Sequence, residues 1–214
     1  MLNLVLITYN DMPLVQKCIE SCIEYVDRLI VVDGVFRDFP QGDKPYSTDG
    51  TFEYIIGLNC AAEKEVLVIP GLTEVEKRNQ YLIGDPGDWY LHLDADEWVK
   101  NPEVLKELPE DADVAWCEMH WTNGFHRYAR LFRAVDGLHY RGLHYRLVDG
   151  DNNLVADIEN TGDKYRRTPF PLCIWHDKDL RDADRQRRKK AYYKVLTAQE
   201  HEVKEALRFG LDVA

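Results

Sequence analysis

Three carboxylates end one apolar run of the sequence, DWYLHLDADEW at residues 88–98. If this run is a β-strand, Asp94 and Asp96 lie on the same face as His92, because side chains alternate along a strand. Two neighbouring carboxylates repel each other, and one of them binds a proton unless a cation lies between them. A divalent metal ion would remove that repulsion and leave room for phosphate oxygens and water. The segment is therefore a candidate metal site.

The Asp-x-Asp spacing by itself does not identify a site. The same spacing occurs at 111–113, 149–151, 177–179 and 182–184. A solvated acidic loop that caps the following helix is the simpler interpretation of any single copy. Position favours the copy at Asp94, which follows a predicted parallel strand. Open α/β sheets bind ligands beyond the carboxyl ends of such strands.

The first hundred residues predict the elements that would position these carboxylates. Strands are predicted at 2–10, 28–34 and 65–71 and in the run before Asp94, and helices at 13–26, 47–57 and 73–84. Thr73 and Glu76 have the spacing of a capping box at the start of the third helix. Strands that alternate with helices imply right-handed βαβ units and a parallel sheet covered on both faces.

The pattern changes after Pro102. We expect a short helix at 101–108, then strands at 113–122, 127–134, 137–148 and 170–176, and a long closing helix at 182–207. Trp121 and Tyr128 belong to a segment rich in aromatic residues, which could face an acceptor molecule or form core.

Polar residues also follow the first two predicted strands. Thr8, Tyr9 and Asn10 end the first strand and could hold a base and a ribose. Asp33 ends the second and could accept hydrogen bonds from a base edge, or it could be a turn residue before a glycine. Arg78, on the helix before the acidic strand, could bind a diphosphate or belong to a solvated helix surface. Together these residues predict a ligand site along one edge of the sheet.

Bulk properties limit the class of protein. The chain has 214 residues, 45% of them hydrophobic, and is expected to form one domain. A formal net charge of −11 argues against nucleic acid as the main partner. Five cysteines without a Cys-x-x-Cys pair favour reduced thiols. The given sequence begins without the basic region of a signal peptide, and it contains no apolar stretch long enough to span a membrane. We therefore expect a cytoplasmic protein.

One basic run departs from this acidic composition. Residues 181–190 include six lysines and arginines. They form a solvated helix face in the simpler interpretation, and could alternatively make a peripheral membrane contact with anionic lipid or bind a phosphorylated acceptor.

The sequence resembles the GT-A glycosyltransferases of family 2, whose motifs it contains in the same order. The motifs in this chain are LVLITYN, IVVDG, STDGT, KRNQYLIG, LDADEW and RLFR. The small bacterial lipopolysaccharide-core and cell-wall enzymes are the most similar in pattern. The resemblance covers residues 2–100, reappears at residues 130–133 and weakens through 140–180. It implies a single Rossmann-like GT-A domain over 1–214, with a mostly parallel central sheet flanked by helices. Residues 1–100 would bind the nucleotide-sugar, and 101–214 would form the acceptor-side region with its terminal helix.

The resemblance also implies an activity and its cofactors. The chain would be a hexosyltransferase that uses Mn²⁺ or Mg²⁺ to move a sugar from a nucleotide-diphosphate donor, with a UDP-sugar favoured, to a saccharide or lipid-linked acceptor. A metal bridging the phosphates would stabilise the departing nucleoside diphosphate as a Lewis acid.

Individual roles follow from matching positions in the family pattern. Thr8, Tyr9 and Asn10 would line the nucleotide pocket, and Asp33 would contact the base. Arg78 would lie near the nucleotide.

The metal and its surroundings follow in the same way. Asp94 would approach ribose or metal, and Asp96 would be the direct metal ligand. His176, after a late apolar strand, could complete the metal site or contact the diphosphate, although a single histidine at a strand end is more often structural.

The sequence departs from the family at the expected catalytic base, where Tyr145 replaces a glutamate. An inverting transferase needs a group that accepts the acceptor's proton. His144, Asp149 and Glu118 are the alternatives nearby.

Other classes of protein share some of these features. A catalytically inactive nucleotide-sugar-binding protein of the same fold is the main alternative. A haloacid-dehalogenase-type phosphatase is disfavoured, because Trp98 stands where that motif has Thr or Val. A sugar-nucleotide pyrophosphorylase should begin with a glycine-rich basic loop, which this chain lacks.

Overall fold

The structure is a computed structural model, and it describes residues 1–37, 39, 44–142, 146–157, 160–176, 186–187, 190–194 and 197. Within these residues, no helix is both long enough and apolar enough to cross a membrane.

The first half of the chain forms the predicted alternation of strands and helices. The strands are β1 (Leu2–Thr8), β2 (Arg28–Asp33), β3 (Glu63–Val68) and β4 (Trp89–His92), and the helices are α1 (Leu14–Glu20), α2 (Thr51–Gly57) and α3 (Glu74–Gln80). β1 lies between β2 and β4 and pairs with both in parallel. All seven residues of β1 are buried, as expected of a strand covered on both faces.

The second half extends the same sheet with a mixture of parallel and antiparallel strands. Its elements are β5 (Glu97–Val99), a 3₁₀ helix (Pro102–Lys106), β6 (Val114–Trp121), β7 (Gly124–Arg133), β8 (His139–Tyr140), β9 (Leu147–Val148), β10 (Leu154–Ala156) and β11 (Arg167–His176). The large sheet has the order β3-β2-β1-β4-β7-β6-β11-β5, and β8, β9 and β10 form a small separate sheet. The predicted α/β fold class is confirmed: a large, mostly parallel sheet is flanked by helices.

Apolar side chains pack on both faces of the large sheet. Along β1, Leu4 and Leu6 belong to one buried cluster, whereas Val5 and Ile7 belong to another. This alternation follows from the two-residue period of a strand. All five cysteines are free thiols, in agreement with the sequence prediction.

The first helix is shorter than the periodicity predicts. α1 ends at Glu20, and a single 3₁₀ turn at Ile23–Tyr25 follows it. The Ser21 hydroxyl donates to the carbonyl of Cys18 at 2.7 Å and accepts a hydrogen bond from the Val99 backbone N–H at 2.9 Å. A serine that binds backbone groups in this way competes with helix continuation. The prediction of one helix over 13–26 was therefore wrong beyond Glu20.

The start of α3 matches its prediction. The Thr73 hydroxyl accepts from the Glu76 backbone N–H at 3.3 Å, and the Glu76 carboxylate accepts from the Thr73 N–H at 2.7 Å. This reciprocal pair is a capping box and fixes the first turn. α3 ends at Gln80, earlier than the predicted boundary at 84.

Of the closing helix predicted at 182–207, residues 186–187, 190–194 and 197 are helical. The rest of that helix, and most of the basic run at 181–190, lie outside the described residues.

Candidate functional site

The acidic segment begins as predicted at the carboxyl end of a parallel strand, but it is not itself a strand. β4 ends at His92, whose Cα is paired with Val5 of β1. The backbone N–H of Asp94 donates to the Glu97 carboxylate at 2.9 Å, and the Glu97 N–H donates to the Asp94 carbonyl at 2.9 Å. The chain therefore turns through residues 94–97. The expectation that Asp94 and Asp96 belong to a strand was wrong, so the two-residue alternation of a strand does not apply to their side chains.

Asp94 is bound by arginines. Its Oδ1 accepts from Arg78 Nη2 at 2.8 Å, and Arg130 Nη2 lies 3.6 Å from its Oδ2. Burial tends to raise the pKa of Asp94, but the Arg78 guanidinium, together with Arg130, holds this pKa well below its usual range. Asp94 is thus a partly buried carboxylate, 17% exposed, that stays ionised.

Glu97 lies beside Asp94 and has the opposite shift. Its Oε1 accepts from Arg130 Nη2, and its side chain is 1% exposed. Burial raises the pKa of Glu97 to about 7, although Arg130 acts to lower it. A glutamate with such a pKa can change its proton occupancy near neutral pH.

Asp96 is paired with His176, the histidine predicted from the sequence as a metal ligand. His176 Nε2 lies 3.0 Å from Asp96 Oδ2, and their side chains are 18% and 1% exposed. β11 brings them together, because it pairs antiparallel with β5 and places the Cα of His176 opposite that of Glu97. Two of the three candidate metal ligands are therefore in direct contact.

A cavity of about 270 Å³ lies against this cluster. Its polar side is formed by His92, Asp94, Glu97, Arg130, Asp157 and His176. Its remaining wall is apolar or aromatic and consists of Met119, Trp121, Tyr128, Ala129, Phe132, Tyr140 and Leu147. Such a combination, a mainly apolar wall with a few convergent polar groups, is typical of small-molecule sites. The volume is below the common range of about 300 to 1,000 Å³ for drug-sized ligands.

Of the residues predicted to hold the nucleotide, Asp94 lines this cavity, whereas the others do not: Thr8, Tyr9, Asn10, Asp33 and Arg78. Thr8 and Asp33 are fully buried. The Thr8 hydroxyl donates to Asp11 at 2.9 Å, and Tyr9 donates to the Lys44 carbonyl at 3.0 Å. Their described contacts therefore connect the first strand to the loop that follows it and to the segment at 44–51.

Asp33 and Asn10 bind the same segment. Asp33 accepts from the Ser47 backbone N–H at 3.0 Å and from its hydroxyl at 2.5 Å. The Asn10 N–H donates to the Ser47 hydroxyl at 2.8 Å, and its side-chain oxygen accepts from the Thr48 N–H at 2.7 Å. Burial raises the pKa of Asp33 despite the hydrogen bonds from Ser47. These residues fix the 44–51 segment over the ends of β1 and β2.

None of the three candidate bases lines the cavity within the described residues. Glu118 binds Arg127 at 3.2 Å and contacts His120, and the hydrogen bonds from both lower its pKa. Asp149 is buried and accepts from Lys164 at 2.6 Å, which holds the pKa of Asp149 well below its usual range. Both carboxylates therefore already have partners within the protein. His144 lies outside the described residues.

Sequence reasoning missed two central residues of the site. Arg130 neutralises Asp94 and Glu97, and Asp157 contributes a carboxylate to the cavity. Arg130 could have been found as a charged residue within an apolar strand, because such a residue normally needs a buried partner. No comparable signal marks Asp157, which lies in a loop.

No protein-family profile matches the chain. Among curated proteins, the chain is similar to a TPR repeat-containing protein of Synechococcus elongatus, with 25% identity over 189 residues. The similarity covers 80% of this chain and 40% of that protein. The chain therefore spans less than half the length of this relative.

The chain is also similar to solved structures. Mannosyltransferase PcManGT from Pyrobaculum calidifontis, in complex with GDP-Man and Mn²⁺, is similar with a TM-score of 0.53 and 15% identity, over 94% of this chain and 64% of that one. S. aureus TarS 1–349 in complex with UDP-GlcNAc gives a TM-score of 0.44 and 20% identity, over 57% of this chain and 35% of that one. The first comparison supports the α/β fold class described above.

The side chains around Asp96 determine whether the site could hold the metal ion that the family resemblance implies. Among the described residues, no group of three or more His, Cys, Asp or Glu side chains is arranged as a complete metal site. The Asp96–His176 pair supplies one carboxylate and one imidazole. Mg²⁺ is commonly held by one or two carboxylates together with substrate phosphates, and Mn²⁺ shares the preference for carboxylate and water ligands. The pair fits an ion that shares its coordination with a bound diphosphate.

Proposed function

We propose that this chain is a metal-dependent glycosyltransferase. It moves a sugar from a nucleotide-diphosphate sugar, with a UDP-sugar favoured, to a saccharide or lipid-linked acceptor. The observation that carries the proposal is the cluster of Asp94, Asp96, Glu97 and His176 beside a cavity at the carboxyl edge of the sheet. The fold shared with a mannosyltransferase supports it.

The chain acts as one domain with two functional halves. Residues 1–100 bind the nucleotide-sugar, and residues 101–214 supply the acceptor side. The contacts of Thr8, Asn10 and Asp33 support a nucleotide pocket bounded by the 44–51 segment, with these residues setting its shape.

Asp96 and His176 would hold Mn²⁺ or Mg²⁺, which would supply Lewis-acid stabilisation to a leaving diphosphate. Asp94 is an anionic anchor for Arg78 and Arg130. Arg130 lines the cavity, and its guanidinium can form charge-assisted hydrogen bonds with a phosphate.

The cavity carboxylates Asp157 and Glu97 are the candidates for the group that accepts the proton of the acceptor hydroxyl. Asp94 is held ionised by its arginine partners and is the weaker base, whereas a pKa of about 7 suits Glu97 to proton transfer near neutral pH. The apolar wall with Trp121 and Tyr128 accommodates the less polar face of a sugar ring.

A catalytically inactive nucleotide-sugar-binding protein is the second candidate. The pairing of Asp94 and Glu97 with arginines favours it, because both carboxylates already have positive partners within the protein.

Thermal shift measurements with UDP-, GDP- and dTDP-sugars, each with and without Mn²⁺, test the proposal. We expect one nucleotide class to raise the melting temperature, and Mn²⁺ to increase that rise. No shift with any donor under either condition would refute it. Mass spectrometry of the product mixture, with monosaccharide acceptors present, then separates a transferase from an inactive binder.

A further inference from the structure

A chain of buried polar contacts lies behind the acidic cluster and has no role in the proposed reaction so far. It begins at Arg78, whose side chain is 3% exposed. The Nη2 atom of Arg78 donates to Glu74 and to Asp94, both at 2.8 Å. The Nη1 atom contacts the Nε2 atom of His92. The guanidinium is thereby fixed from two directions, by carboxylates and by an imidazole.

The contact with Arg78 determines the tautomer of His92. A guanidinium can only donate hydrogen bonds, so the Nε2 atom of His92 must accept and carries no proton. A neutral imidazole then has its proton on Nδ1. Nδ1 lies 3.1 Å from the hydroxyl oxygen of Tyr140, which can accept that proton's hydrogen bond. Burial, followed by the charge of Arg78, lowers the pKa of His92 well below its usual value, which agrees with a neutral ring.

Tyr140 is itself held firmly. Its backbone N–H donates to the side-chain oxygen of Asn79 at 2.6 Å, and its carbonyl accepts from the Asn79 amide at 3.1 Å. Its ring packs edge-on against Tyr81 and Phe132, with ring centroids 6.0 and 6.3 Å away. β8 is thus attached to α3, and the Tyr140 hydroxyl has a fixed position.

We propose that His92 is a positioning residue, held as the Nδ1–H tautomer between Tyr140 and Arg78, that sets the Arg78 guanidinium against Asp94. Asn79 and Tyr140 fix the imidazole, and the imidazole fixes the arginine. Arg78 and Asn79 are adjacent on α3, so the helix contributes both ends of the chain of contacts. His92 and Tyr140 also line the cavity. Hydrogen bonds therefore connect this wall of the cavity to α3.

The consequence for ligand binding rests on the proposed function. If the cluster binds a nucleoside diphosphate, the guanidinium must stay in place while phosphate and metal charges enter beside Asp94. A group already fixed loses little conformational freedom on binding, and such preorganisation increases affinity. Loss of the imidazole acceptor would remove one of the contacts that hold Arg78, leaving those with Glu74 and Asp94, and would weaken nucleotide binding.

The tautomer can be read directly by ¹⁵N NMR of the full chain labelled at its seven histidines. The His92 signals are assigned as those lost in the His92→Gln variant. We expect a pyrrole-type Nδ1 and a pyridine-type Nε2 at neutral pH. A protonated Nε2, alone or together with Nδ1, would overturn the proposal, because Arg78 could then not donate to it.

Calorimetry with UDP and Mn²⁺ tests the positioning role. His92→Leu should weaken UDP binding about tenfold, as expected for loss of one hydrogen bond to a charged group. His92→Gln retains a side-chain oxygen that can accept from Arg78, and should restore affinity to within about threefold of the wild type. Equal affinities for His92→Leu and the wild type would overturn the role.

Tyr90→Phe is the matched control. Tyr90 lies on the same strand, and its hydroxyl accepts from the Gly84 N–H at 2.5 Å, away from the acidic cluster. We expect wild-type affinity for it. If Tyr90→Phe weakened binding as much as His92→Leu, general loosening of β4 would explain both and the proposal would fail. A wild type without affinity for UDP would refute the UDP assignment of the proposed function, whereas the NMR signals would still decide the state of His92.

Discussion

The buried glutamate Glu97 should make the stability of this protein depend on pH. Its carboxyl group contacts Arg130 and the Asp94 backbone N–H, and its pKa in the folded chain is about 7. In the unfolded chain the ordinary value is 4.5. Between these values the folded state binds more protons, so the free energy of unfolding falls as pH rises. The contribution is fully present below pH 4.5 and is lost as pH rises through 7.

The size of this effect follows from the two pKa values. One pKa unit corresponds to about 1.4 kcal/mol, and integration from about pH 5 to about pH 7.5 gives about 2 kcal/mol for this single carboxyl group. Glu97→Gln removes the ionisation but keeps a side-chain oxygen for Arg130. We therefore expect the free energy of unfolding of the variant to fall by about 2 kcal/mol less than that of the wild type over this pH interval.

Urea unfolding followed by circular dichroism at the two pH values measures the difference. Glu118→Gln is the control, because Glu118 is a partly exposed carboxylate paired with Arg127. It should follow the wild-type pH dependence within about 0.5 kcal/mol. Identical pH dependence in Glu97→Gln and the wild type would refute the reasoning, since it would mean that Glu97 ionises normally in the folded chain.

Two further predictions concern the elements around the site. Thr73→Ala removes the capping box of α3 and should lower the free energy of unfolding, measured in urea, by about 1 kcal/mol. The control Thr168→Ala removes a hydroxyl from a strand and should lower it by less. Equal losses in the two variants would contradict the capping role of Thr73. Ser47→Ala removes two of the hydrogen bonds that hold the 44–51 segment to Asp33 and Asn10. Amide hydrogen exchange in that segment should become about tenfold faster or more, and unchanged exchange would show that other contacts hold it.

Much of the first half could be predicted, because its signals are local. Buried parallel strands such as β1 require continuous apolar runs, and the capping box at Thr73 requires two residue types at a fixed spacing. The end of α1 could not be predicted in this way. It depends on the Ser21 hydroxyl, which binds a residue 78 positions away in the sequence.

The site was predictable in position but not in its contacts. The rule that ligands bind at the carboxyl ends of parallel strands pointed to the edge of the sheet at which Asp94 and Asp96 lie, beside the cavity. Their partners come from distant strands. Antiparallel pairing of β7 with β4 brings Arg130 to Asp94, and pairing of β11 with β5 brings His176 to Asp96. No local sequence pattern encodes either strand pairing. The sequence alone therefore showed the negative charges of residues 94–97 without the arginines that neutralise them.

The central claim is that the cluster around Asp96 and His176 is a metal and nucleotide site. Paramagnetic broadening by Mn²⁺, measured in ¹H–¹⁵N spectra with UDP present, tests it most directly. We predict selective loss of signals from residues 94–97 and from His176, with little effect at the exposed Asp111, and loss of this selectivity in Asp96→Asn. Broadening centred on another part of the chain, or the same broadening in Asp96→Asn, would contradict the account.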